Sequence, residues 1–66
     1  MSNATPLPTL QIYRAAEGFL RFKLPAKGAR WQGRFRTLEE LVAVARRQGL
    51  PEPCELDFLT EAEARA

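Results

Sequence analysis

Apolar and polar residues alternate along this chain in four short runs, and a fifth stretch carries a helical period. Leu10-Gln-Ile-Tyr-Arg14 alternates, and so does Phe19 to Leu24, with Leu20, Phe22 and Leu24 on one side and Arg21 and Lys23 on the other. Ala15-Ala-Glu-Gly18 between them reads as a turn, so the two runs predict a hairpin. After Pro25-Ala-Lys-Gly28, the run Trp31-Gln-Gly-Arg-Phe-Arg36 places Trp31, Gly33 and Phe35 inward and Gln32, Arg34 and Arg36 outward. Cys54-Glu-Leu-Asp-Phe58 alternates again, with Cys54, Leu56 and Phe58 inward and Glu55 and Asp57 outward.

The helical stretch has both of its ends in the sequence. Thr37 and Glu40 form a capping-box pair, in which the threonine oxygen accepts from the Glu40 amide and the Glu40 carboxylate reaches back to the Thr37 amide. Leu38, Leu41, Val42 and Ala45 make one apolar stripe. Glu39 and Glu40 sit at the positive end of the helix dipole, and Arg46 and Arg47 at the negative end. Gly49 suits a left-handed terminator, Leu50 folds back on the last turn, and Pro51 prevents continuation. Thr60-Glu-Ala-Glu63 repeats the capping pattern, so residues 60–66 are expected to form a frayed tail or one helical turn.

The order β-β-β-α-β predicts a small α+β domain over residues 10–59, preceded by a flexible arm at 1–9. One antiparallel sheet of three to four strands would carry one helix on its apolar face. The expected core is Leu10, Ile12, Leu20, Phe22, Leu24, Trp31, Phe35, Leu38, Leu41, Val42, Ala45, Leu50, Leu56 and Phe58.

Composition narrows the chemistry. At 66 residues, 45% hydrophobic and 27% charged, the chain fits one folded domain rather than a disordered segment. Cys54 is the single cysteine and histidine is absent, which excludes an intrachain disulfide and a His/Cys zinc site. Cys54 falls in the apolar phase of a strand, so a packed thiol is expected rather than a reactive one. Glu39 and Glu40 read as helix caps, Glu55 and Asp57 as strand surface, and Lys27-Gly28 lacks the rest of a phosphate loop. No catalytic, metal or cofactor-binding residue stands out, and a non-enzyme without cofactors is expected. The longest apolar run, Leu41 to Ala45, is too short to span a membrane, and no basic-then-apolar start marks a secretory signal. The expected location is the cytoplasm.

The net charge of +2 hides a division. Residues 1–36 carry Arg14, Arg21, Lys23, Lys27, Arg30, Arg34 and Arg36 against Glu17 alone, a net +6. Residues 37–66 carry three arginines against seven acids, a net −4. One reading makes the basic sheet face, through Arg21, Lys23, Arg34 and Arg36 with Tyr13 and Trp31 nearby, a nucleic-acid surface, although the alternation turns Trp31 inward and leaves Tyr13 outward. Its bland counterpart pairs Glu55 and Asp57 across the sheet with Arg21 and Lys23, or with Arg34 and Arg36. Another reading gathers Glu39, Glu40, Glu52, Glu61 and Glu63 into one acidic surface that docks on a basic protein groove. A third makes the chain a structural or regulatory subunit that completes its core against a partner.

In size and organisation the whole chain resembles the accessory proteins of phages and mobile elements. Among these it looks most like the anti-CRISPR inhibitors of bacterial type I systems, with the β-α-β run W-Q-G-R-F-R-T-L-E-E-L and C-E-L-D-F between Trp31 and Phe58 carrying the likeness. The resemblance implies a stoichiometric inhibitor that docks on the DNA-recognising surveillance complex and blocks target binding. It transfers no functional residue.

Overall fold

The two alternating runs before Lys27 do pair as a hairpin. In the computed structural model, which describes residues 7–66, β1 (Thr9–Arg14) and β2 (Leu20–Lys23) are antiparallel, with Ile12 opposite Phe22 and Arg14 opposite Leu20. The connection is tight: the Ala15 N–H donates to the Phe19 carbonyl and the Gly18 N–H to the Ala15 carbonyl, both at 2.8 Å. The arm expected at 1–9 lies largely outside the described residues, and Thr9 already belongs to β1.

β3 (Gln32–Phe35) pairs antiparallel with β2, and α1 (Leu38–Arg47) follows. The chain then crosses the sheet to β4 (Glu55–Leu59) and ends in a short helix, α2 (Glu61–Arg65). The strand order is β3-β2-β1-β4. The α+β class, the four strands and the single main helix are as the sequence predicts. The sheet is mixed rather than antiparallel throughout, because β4 returns parallel to β1, with Leu10 beside Leu56 and Ile12 beside Phe58. A helical crossover from β3 allows this, since parallel neighbours need such a connection rather than a tight turn.

Both ends of α1 are closed. The Glu40 N–H donates to Thr37 Oγ1 at 3.2 Å, and the Thr37 hydroxyl donates to Glu40 Oε1 at 3.2 Å. The reciprocal bond therefore runs through the hydroxyl and not through the Thr37 amide as expected. At the other end the Leu50 N–H donates to the Ala45 carbonyl at 3.0 Å and the Gly49 N–H to the Arg46 carbonyl at 3.1 Å. That pair of bonds is a Schellman closure, and Gly49 holds the left-handed φ of +100° it needs.

The core lies between α1 and one sheet face: Leu10, Ile12, Leu20, Phe22, Leu41, Ala45 and Leu50 are buried. Leu24, Phe35, Leu38, Val42 and Cys54 pack partly against it. Three expected core residues lie elsewhere. Leu56 and Phe58 are exposed at 39% and 60%, and Trp31 is half-buried on the opposite sheet face.

The Trp31 difference has a local cause. Leu20 registers with Phe35, but Phe22 registers with Gln32, so β3 carries one extra residue. Gln32 thereby turns to the helix side, where the Gln48 side-chain amide donates to its carbonyl oxygen at 3.0 Å. Gly33 absorbs the irregularity at φ +91°, and a Cβ there would run into the Phe35 ring. Trp31, next in line, faces away from α1.

Candidate functional site

Two surfaces hold the residues that strand alternation could not place. The first is the β4 end of the sheet. Parallel neighbours in register point to the same side, so Leu56 and Phe58 share the helix-bearing face with Leu10 and Ile12. Their exposures nevertheless differ: Leu10 and Ile12, on an interior strand, share one core with Leu41 and Ala45 of α1, whereas α1 sits over β2 and β3 and leaves the edge strand β4 uncovered. An apolar strip on β4 is left open beside a buried core. On the other side of the same strand Glu55 and Asp57 are exposed, in register with Thr9 and Gln11. Neither carboxylate takes part in an ion pair among the described residues. The expected neutralisation by Arg21 and Lys23, or by Arg34 and Arg36, does not form, because β1 separates β4 from both basic strands.

The second surface is the face opposite α1. Tyr13, only 6% exposed, meets Trp31 edge-on with ring centroids 4.7 Å apart. Arg21 donates from Nη2 to the Trp31 carbonyl at 3.2 Å and from Nη1 to the Tyr13 hydroxyl at 3.5 Å. Lys23 Nζ lies 5.5 Å from the centre of the Trp31 ring. α2 closes this side: Trp31 Nε1 donates to the Ala64 carbonyl at 3.1 Å. Thr60 and Glu63 cap α2 with a complete box, the Glu63 N–H donating to Thr60 Oγ1 at 3.1 Å and the Thr60 N–H to Glu63 Oε1 at 2.9 Å. The tail over 60–66 is thus a capped turn tied to the sheet.

The basic set does not form one open face. Arg34 stacks 4.6 Å over the Phe19 ring and pairs with Glu17 at 3.6 Å, while Arg36 lies 6.0 Å from the same ring. Arg21 is committed to the protein's own oxygens, and its Nε is buried without a partner. Arg21 and Arg34 do line one cleft with Tyr13 and Phe19, but Glu17 and Glu61 line it too.

The acidic set is divided by the sheet. Glu39 and Glu40 begin α1, and Glu52 pairs with Arg46 of that helix at 3.0 Å. Glu61 and Glu63 belong to α2 on the opposite face, where Glu61 pairs with Arg65 at 3.1 Å. Glu40 and Glu63 spend their carboxylates on caps. Of the five, only Glu39 has no such bond among the described residues.

The residues that sequence reasoning missed as surface are Leu56 and Phe58. Their alternation is that of any half-buried strand, and no local signal separates an edge position beyond the helix from one beneath it. Among the described residues no helix is long and apolar enough to cross a membrane. Comparison with protein-family models, with curated proteins and with solved structures finds no match for this chain.

Proposed function

We propose that this chain is a non-catalytic binding protein that docks on a protein partner through the Leu56–Phe58 side of β4. One observation carries the reading: Phe58 is 60% exposed while its register neighbour Ile12 is fully buried. Covering the exposed 60% of Phe58 is worth about 1–2 kcal/mol, which the isolated chain forgoes and a docked partner recovers. Exposed aromatic side chains are also frequent anchors of protein interfaces. On the likeness to anti-CRISPR inhibitors, the partner to test is a subunit of a type I surveillance complex in the bacterial cytoplasm, and docking blocks binding of target DNA.

The test is a DNA-binding assay of such a complex with the wild-type chain and with Phe58→Lys. Wild type lowers target binding in proportion to its molar ratio, and Phe58→Lys does not, with its thermal unfolding unchanged. Equal inhibition by the two proteins would remove the apolar strip as the docking site. No effect of either on the complex would remove the surveillance-complex reading.

The close approach of Lys23 to Trp31 favours a second reading, in which the opposite face binds single-stranded nucleic acid. Binding of an oligonucleotide that weakens steeply with salt and with Lys23→Glu would support it.

A further inference from the structure

β4 ends the sheet, and among the described residues no strand pairs with its outer side. One bond orients its backbone: the Glu55 N–H donates to the Pro8 carbonyl at 2.9 Å, toward β1. Successive strand residues direct their N–H and C=O groups to alternate sides, so Leu56 and Phe58 present theirs to the open edge. The same two residues carry the exposed apolar side chains on the α1 side, and Glu55 and Asp57 expose on the other side carboxylates that form no ion pair among the described residues.

We infer that the outer edge of β4 accepts an extended segment of the partner protein as a fifth strand, and that this segment alternates apolar and basic residues. The inference rests on the protein-docking reading above and specifies the chemistry of the partner. An added strand satisfies the free backbone groups, and its side chains divide between the two sheet faces. Apolar residues on the α1 side cover Leu56 and Phe58. Lysine or arginine on the other side stands opposite Glu55 and Asp57, where cross-strand pairs of opposite charge stabilise and like charges destabilise.

Charge argues against a second copy of this chain as the occupant. Pairing β4 with β4 so that the apolar sides coincide brings Glu55 and Asp57 of both copies onto one face. The other free edge, β3, carries Arg34, but its irregularity at Gly33 interrupts the ladder that a docked strand requires.

The experiment uses the full chain, isotopically labelled, with two synthetic peptides of about ten residues, a length typical of strands. One alternates valine with lysine and the other valine with glutamate. The valine–lysine peptide slows amide hydrogen exchange at Leu56 and Phe58 about tenfold at saturation, as expected of amides that gain a cross-strand bond. Asp57→Lys weakens that peptide about fivefold, since one attractive pair becomes repulsive. Unchanged exchange at Ile12 and Phe22 shows that the variant is folded.

Exchange at Leu56 and Phe58 that neither peptide alters would overturn the inference, as would equal slowing by both peptides. Slowed β4 exchange that rises with protein concentration alone, without peptide, would make a second copy the occupant and overturn it as well. If both peptides are inert yet Phe58→Lys abolishes inhibition of the complex, the partner covers the strip without adding a strand. The inference then falls and the docking reading stands.

Discussion

The indole N–H of Trp31 donates to the carbonyl of Ala64 at 3.1 Å, a bond that joins residues 33 apart and ties α2 to the sheet. A helix of five residues does not persist on its own propensity, because nucleation costs more than so few bonds return. The capping box at Thr60, this tether and packing against β1 and β4 hold it on the sheet. Trp31 therefore serves the second face of the sheet, with its ring on Tyr13 and its nitrogen on α2.

Trp31→Phe keeps an aromatic ring beside Tyr13 and removes the donor. The expected result is a loss of about 1 kcal/mol in urea unfolding, the usual net worth of one hydrogen bond. Amide exchange at Ala64 and Ala66 accelerates much more than exchange in the core, since the bonds these amides donate to Thr60 and Glu63 open when α2 detaches.

Gly33→Ala meets two obstacles. The backbone φ of +91° is unfavourable for an L side chain, and the new methyl group runs into the Phe35 ring. A loss of about 1–3 kcal/mol is expected for strain of this kind, read as a lower urea midpoint with an unchanged slope. Trp31 fluorescence should shift too, because relief of the strain moves the irregularity that orients it.

Gly49→Ala isolates the backbone term alone. Nothing lies within 4 Å of a Cβ at this position, yet φ is +100°. The expected cost is about 1–2 kcal/mol, from the left-handed conformation and not from packing. Thermal unfolding of this variant beside Gly33→Ala separates strain from collision.

Phe58 and Phe22 should behave as opposites. Phe22 is fully buried, and Phe22→Ala is expected to cost about 3–5 kcal/mol, enough to unfold much of a domain this small. Phe58→Ser is expected to stay within about 0.5 kcal/mol of wild type, as surface changes do. Its effect is predicted on binding of the proposed protein partner, measured by titration against a type I surveillance complex, the partner proposed above.

Where a signal is local, the sequence carried it well. The Thr37 cap, the α1 stripe, the Gly49 closure and the Ala15–Gly18 turn each depend on residues within one or two turns of chain, and all four form, the cap with its return bond through the Thr37 hydroxyl rather than the amide. The candidate surfaces were far less legible. Glu39, Glu40, Glu52, Glu61 and Glu63 read as one acidic set along the chain, but α1 and α2 pack on opposite faces of the sheet and separate them. Arg21 and Arg34 read as one basic row, but β2 and β3 are offset by the extra residue in β3, and each arginine finds its own partner.

The sequence by itself determined the elements, the two ends of α1 and the apolar side of β1, β2 and β4, because those follow from side-chain spacing and from caps a few residues apart; in β3 the extra residue exchanged the sides of Trp31 and Gln32. Only the tertiary structure decided that β4 lies parallel to β1 at the sheet edge and that α1 covers β2 and β3 without reaching it. Strand order is a relation between segments distant in sequence, set by which pairing buries the most apolar surface for the whole chain. That relation buries Leu10 and Ile12 and leaves Leu56 and Phe58, identical in pattern, open to solvent.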